Sequence, residues 1–229
     1  TKILKYNLDG TFVTDYDLGE RLNKPKLSLN PDGSISLVHL CFQGMSEMMG
    51  AVITPDSTIT KYIPAPGQAI NPRDKNGRFV GFNNVEGFKY MMMPVDTLYN
   101  YNAAANKMEA QFALSNPPVG EDVFLIYDEL PGKYLATVWG KGTIVVDNKN
   151  NNSHYVKLVN DYFGGLPAPM NFTNGWFFAM YEPAVLMENI EKRMAASDCT
   201  DKDKELLKDL LGSLDENDNN VMFIGKLKK

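Results

Sequence analysis

The side chains able to do chemistry are few and scattered. Two histidines are present, His39 and His154. His39 lies in an apolar, strand-like run and reads as a satisfied strand residue; His154 follows a run of asparagines and reads as exposed. No serine sits in a G-x-S-x-G setting, so the nucleophile elbow of a hydrolase is absent. Lys141-Gly142-Thr143 is an isolated fragment without the glycine-rich loop that cradles phosphate. Asp128-Glu129 is a carboxylate pair, but glycoside hydrolysis needs two carboxyl groups facing one another across a substrate, roughly 5–10 Å apart. Adjacent residues in a tight turn, where these two are expected, rarely face one cavity. Asp215, Asp218 and the asparagines beside them offer oxygen ligands for calcium, yet the spacing lacks the glycine and closing glutamate of an EF-hand loop. The two cysteines, Cys41 and Cys199, belong to no CxxC motif, which removes the zinc and thioredoxin-like readings. Cys41 ends an apolar run and is expected to be a buried free thiol; sequence alone does not fix a pairing between the two. No metal ion and no cofactor is expected.

Aromatic rings are the better prospect. Trp139, Tyr90, Trp176 and Tyr134 fall on or beside strands that open successive hairpins. An aromatic face with a polar tip suits a sugar or a peptide, and these four are the candidate ligand-binding residues. The same rings serve equally well as core packing. The methionine clusters around Met45-Met48-Met49 and Met91-Met92-Met93 read as adaptable filler between sheets, not as metal ligands.

These rings must be positioned by strands, and the strands repeat. The segment from Phe79 to Leu114 contains two β-hairpins in series, turning at Asn84-Val85-Glu86-Gly87 and again near Ala103 to Lys107. Imperfect copies surround it. Lys26–Asn30 turns at Pro31-Asp32-Gly33 and returns through Ser34–Cys41, and Ala51–Thr54 turns at Pro55-Asp56-Ser57 and returns through Ile63. Further on, Val123–Asp128 turns at Leu130-Pro131-Gly132, and Thr143–Asp147 pairs with His154–Val159. Met170–Thr173 turns at Asn174-Gly175 and returns through Trp176–Tyr181. Four short strands recurring at roughly 45-residue intervals are the mark of a β-propeller blade. The fold class is therefore all-β, a β-propeller of four-stranded antiparallel blades, with about four to five blades in this chain. One domain, 1–229, is expected: a half blade at 1–18, blades at 26–63, 79–114 and 122–159, and a last one at 170–229. Such an arc leaves two blade faces uncovered. About two blades are expected ahead of Thr1 in a parent protein, or else closure against a second chain.

The last blade departs from the pattern. Glu182-Pro183 opens a helical stripe of Val185, Leu186, Ile190 and Met194, with proline suited to a first helical turn. Thr200 is a plausible N-cap, with Asp201 and Asp203 complementing the helix dipole. Leu206, Leu207, Leu210, Leu211 and Leu214 supply a second apolar face. Helices at about 183–196 and 201–214 form a hairpin inserted before a final strand, Val221–Leu227. This hairpin is a candidate surface for a protein partner.

Composition supports a sizeable core, with 44% hydrophobic residues, and strands in particular, with 11% aromatics. The net charge of −5 carries no basic stripe, so nucleic-acid binding is disfavoured. No apolar run approaches the length of a membrane helix.

Three segments resemble a known family. Lys157-Leu158-Val159-Asn160-Asp161-Tyr162-Phe163-Gly164-Gly165-Leu166-Pro167, the terminus Asp215 to Lys228, and Asp96-Thr97-Leu98-Tyr99 are similar to motifs of six-bladed β-propeller proteins of gut-type Gram-negative bacteria. Asn220 stands where that family usually has proline. The resemblance implies an exported, lipoprotein-like protein in the periplasm or at the outer-membrane surface, lipid-anchored through a segment absent here. Its motifs are structural and name no substrate. The expected function is thus a non-enzymatic extracytoplasmic binding or scaffold propeller with a glycan or peptide ligand. The alternative is a propeller enzyme, a polysaccharide lyase or hydrolase, with part of its site on missing blades.

Overall fold

The computed structural model describes residues 1–65, 68–73, 80–83, 87–92, 95–116, 125–138, 140–168, 171–173 and 175–228. They fall into two compact units, Thr1–Tyr127 and Asp128–Lys229.

In the first unit, β1 (Lys2–Tyr6) and β2 (Phe12–Asp17) form an antiparallel pair. β3 (Lys26–Leu29), β4 (Ile35–Val38), β5 (Gly50–Ile53) and β6 (Ile59–Tyr62) follow as a four-stranded meander. β7 (Val80–Asn83), β8 (Lys89–Met92), β9 (Val95–Asn102) and β10 (Lys107–Phe112) make a second. β11 (Leu125–Leu130) contains the division between the units. Each four-strand module expected from the repeat at 26–63 and 79–114 is therefore one antiparallel sheet, with strand ends within a few residues of expectation. Of the turn Asn84 to Gly87, only Gly87 lies among the described residues.

Side-chain alternation explains why the sheets stack. On β4 and β5, Leu37, Ala51 and Ile53 face one way and Val38 and Val52 the other. The first set packs with Tyr16, Leu18 and Leu22 from β2 and the loop after it. The second set packs with Phe88, Tyr90, Tyr101 and Met108 of the following sheet. The alternation Ser34-Ile35-Ser36-Leu37 does not produce a wet face, because both serines are buried. Asn30 satisfies them, its Nδ2 donating to Ser34 Oγ at 2.9 Å and Ser36 Oγ at 2.8 Å.

Three contacts lock the two four-stranded sheets together. The Tyr90 hydroxyl donates to the His39 carbonyl at 2.7 Å in a buried setting. Asn106 Nδ2 donates to the Lys61 carbonyl at 3.1 Å. The Tyr101 ring lies against Gly50, where an added Cβ would come within 3.4 Å of the ring and 2.7 Å of the Leu37 carbonyl. His39 braces the loops at this junction. Its Nδ1 accepts from the Asn23 amide at 3.4 Å and its Nε2 sits 2.8 Å from the Met48 carbonyl. That pairing assigns the proton to Nε2 in a neutral ring.

In the second unit, β11, β12 (Lys133–Val138), β13 (Gly142–Asp147) and β14 (Ser153–Val156) form a third four-stranded meander, matching the module expected at 122–159. The family-like segment 157–167 makes a small structure of its own. β15 (Val159–Asn160) and β16 (Leu166–Pro167) pair around a 3-10 turn at Asp161–Phe163. β17 (Asn171–Thr173), β18 (Trp176–Tyr181) and, after two helices, β19 (Val221–Lys226) form a three-stranded sheet. The helices α1 (Pro183–Met194) and α2 (Asp201–Gly212) are the expected hairpin, each two residues shorter than expected at its C-terminal end. Pro183 starts α1, and Thr200 caps α2 in a reciprocal capping box with Asp203. Leu186, Ile190 and Leu207 pack against Leu166, Ala179, Tyr181 and Phe223, so the hairpin covers one face of this sheet.

Two glycines seat the hairpin. Gly164 and Gly165 have φ of +61° and +79°, in the left-handed region. A Cβ on Gly164 would lie 3.0 Å from Leu207 Cγ, and one on Gly165 would lie 3.0 Å from Arg193 Nε. That same Nε donates to the Gly164 carbonyl at 2.8 Å, and the guanidinium also holds Asp198. Both helices thus rest on backbone that has no room for a side chain.

Two outcomes are expected. Gly50→Ala lowers the urea-unfolding free energy by about 1–3 kcal/mol through overpacking, and Tyr90→Phe by about 1–3 kcal/mol by leaving a buried carbonyl short of a donor. Unchanged midpoints for both would mean that the two sheets are not held through this junction. Burial holds the His39 pKa below its usual 6.5, against the opposing pull of Glu20. The unfolded chain then binds a proton before the folded one, so stability is full above pH 6.5 and falls as the pH drops below it. Wild-type unfolding free energy should decline from pH 6.5 downward by at most about 1.4 kcal/mol per pH unit for one proton, and His39→Gln should flatten that decline.

Candidate functional site

The three candidate aromatics among the described residues lie on different sheets. Tyr90 is on β8 in the first unit, Tyr134 on β12 and Trp176 on β18 in the second; Trp139 lies outside the described residues. Tyr90 is enclosed, with its hydroxyl given to the His39 carbonyl, and burial pushes its phenol well above the usual range. Tyr134 is buried as well. Trp176 alone of the three described rings presents itself to solvent.

The titratable groups are engaged in structure. Both ring nitrogens of His39 face backbone atoms, and His154 is exposed on β14. Cys41 and Cys199 are buried free thiols. Desolvation pushes the Cys41 thiol up, only partly offset by a hydrogen bond with Ser46, so it is not poised as a thiolate nucleophile. Asp128 and Glu129 belong to the strand β11 and not to the turn, which lies at Pro131-Gly132. The strand runs on because the turn needs only those two residues, and alternation then sends the two carboxyl groups to opposite faces. Asp215 accepts from the Asn217 amide at 2.9 Å, which holds its carboxyl below the usual range, while Asp218 Oδ2 accepts from the Asp215 amide at 3.1 Å. Among the described residues no three His, Cys, Asp or Glu side chains gather to hold an ion.

The surface feature that stands out is the open face of the β17–β18–β19 sheet. Its register sets Trp176 opposite Lys226, Phe178 opposite Ile224 and Met180 opposite Met222. The alternate residues, Phe177, Ala179, Tyr181, Val221 and Phe223, turn toward the helical hairpin or the sheet interior. Trp176 is 41% exposed, Met180 58%, Met222 56% and Ile224 61%. Lys226 Nζ stands 5.9 Å from the centre of the Trp176 ring, a cation–π contact at the end of the strip. Exposed Asn171 pairs with Phe178 on the far side. This face can grip an apolar partner, with one cation to orient it.

Sequence reasoning picked out Trp176 but missed Met222, Ile224 and Lys226. The signal was there: Val221-Met222-Phe223-Ile224 is apolar at both parities, although the hairpin can cover only one face. A second exposed cluster, Leu4, Tyr6, Phe12 and Val13, lies on β1 and β2, with the Tyr6 and Phe12 rings edge-to-face at 5.6 Å.

No family model matches the chain, and no curated protein aligns with it. A crystal structure described as that of a "putative exported protein" from Bacteroides fragilis superposes on 100% of this chain and 72% of its own, with a TM-score of 0.59 and 15% sequence identity. At that identity the likeness shows a shared fold.

Proposed function

We propose that this chain is a non-enzymatic extracytoplasmic binding or scaffold protein of β-propeller type, and that the open face around Trp176 is its binding surface. The propeller reading is supported by three four-stranded meanders at a near-constant interval, and by face-to-face stacking of β1–β2, β3–β6 and β7–β10 in the first unit. Radial placement around a shared axis, six blades in the complete protein, one domain over 1–229 and a lipid anchor remain part of the proposal. An extracytoplasmic location is supported by the fold shared with an exported protein of Bacteroides fragilis; no helix among the described residues is long and apolar enough to cross a membrane.

The observation that carries the binding role is the exposure of Trp176, Met180, Met222 and Ile224 on one face. Protein surfaces rarely gather that many large apolar groups without a partner. The chemistry favours a polypeptide over a glycan. A sugar site surrounds its stacking ring with hydrogen-bonding groups, and here Asn171 and Lys226 are the polar flank of a strip of methionine and isoleucine. Methionine adapts to varied apolar partners. Nothing among the described residues favours the lyase or hydrolase alternative, and the helical hairpin spends most of its apolar side chains on the sheet beneath it.

Array binding tests the proposal, with extended peptides bearing alternate apolar residues and an acidic end set against a glycan panel. Peptide binding is expected to quench Trp176 fluorescence and to weaken at least tenfold in Trp176→Ala, whose fold is checked by circular dichroism. Binding that is indifferent to this substitution, or turnover of any glycan, would overturn it.

A further inference from the structure

The open face is complementary to itself, and we propose that its partner is a second copy of this chain, packed face to face about a twofold axis perpendicular to the strands. The inference rests on the reading of this face as the binding surface and names the occupant.

Two observations select a copy of the chain. The first is the distribution of charge along β19. The strip is apolar from Met222 to Ile224 and carries Lys226 at one end. At the other end the strand is preceded by an exposed acidic loop containing Asp215, Glu216 and Asp218. When two such faces meet with strands antiparallel, each Lys226 approaches the acidic loop of the other copy, so the pairing is satisfied twice. The parallel arrangement would set acid on acid and base on base. A twofold interface uses one patch on both subunits, so a patch with opposite charges at its two ends suits it.

The second observation is the chemistry of the strip. No charged side chain interrupts the apolar stretch of the face, and contiguous exposed apolar surface of this kind marks a site of association. Facing sheets pack with side chains interleaved about 10 Å apart, and the flexible methionines of one copy fill between the tryptophan and isoleucine of the other. The size sets the strength. Two strands of six residues and one of three span an area of at most about 20 by 14 Å. That is well below the roughly 800 Å² per partner of a standard stable interface, so the association is reversible and weak, with a Kd between about 1 μM and 1 mM.

Sedimentation velocity over a concentration series reads this directly. The weight-average mass should rise from one chain toward two and stop there. Ile224→Lys should hold the protein monomeric throughout. Lys226→Glu and Glu216→Lys should each weaken association several-fold, and the double variant should restore it; generic stickiness would not show that rescue. Circular dichroism and melting temperature confirm that each variant is folded, since all three side chains are exposed. A mass that stays at one chain, that grows past two, or that is unchanged by Ile224→Lys would overturn the proposal. A protein that stays monomeric yet binds array peptides through Trp176 would sink self-association and leave the binding face standing.

Discussion

A strand with apolar side chains on both faces has to be covered twice. β4 and β5 impose that condition on the first unit: Leu37, Ala51 and Ile53 demand one neighbour, Val38 and Val52 another. A meander of four short strands cannot close on itself to meet such a demand, so it recruits the sheet before it in sequence and the sheet after it. The spacing between the sheets is then fixed by what stands between them. Gly50 presents bare backbone to the Tyr101 ring, and the Tyr90 hydroxyl reaches a carbonyl on the neighbouring sheet. The two tyrosines thus combine large apolar area with a defined polar tip, which makes the stacking specific as well as favourable. His39 completes the junction by tying two loop segments while contributing its own carbonyl to Tyr90. The histidine read from the sequence as a satisfied strand residue lies just past the end of β4, and both its ring nitrogens are indeed engaged.

The second unit solves the same problem differently. Its last sheet has three strands, and the connection from β18 to β19 is lengthened into a helical hairpin that turns back over one face. The hairpin needs a fixed seat, since a dozen-residue helix has little stability of its own in water. Gly164 and Gly165 provide it. Left-handed backbone at both positions lets Leu207 and Arg193 come into direct contact with the main chain, and Arg193 secures the contact with a hydrogen bond to the Gly164 carbonyl. The segment 157–167 that contains these glycines therefore matters for packing.

How much of this was legible follows from the range over which each signal acts. Turn chemistry is local, and Gly33, Gly87, Gly132 and Gly175 all take the positive φ expected of them. Capping is local too, and Pro183 and Thr200 sit where the sequence put them. The repeat interval, a sum of local signals, located the four-strand modules to within a few residues. Burial is not local. Tyr90, Tyr134 and Trp176 occupy similar places in their hairpins, and nothing in their immediate neighbours says that two are enclosed and one is open. That difference depends on which face of which sheet has a neighbour. Likewise Ser34 and Ser36 read as a polar face until Asn30 is seen to satisfy both beneath a covering sheet.

The open face on β18 and β19 marks the point at which covering stops. In the first unit both faces of β4 and β5 are covered by neighbouring sheets, and in the second the hairpin covers one face of β18 and β19. Here Phe223 and Tyr181 are sheltered by the hairpin while Met222 and Met180, one residue away on the same strands, face water. Had this face only to be soluble, polar residues at its outward positions would be the low-cost solution, as exposed His154 supplies on β14 opposite half-buried Val145. β19 departs from that pattern, with apolar residues at four successive positions and its lysine held back to the end beside Trp176. Four exposed apolar side chains are costly to leave in water, at about 25 cal/mol for each square ångström that a partner would cover. A face composed in this way makes physical sense as one whose covering comes from outside the unit that builds it.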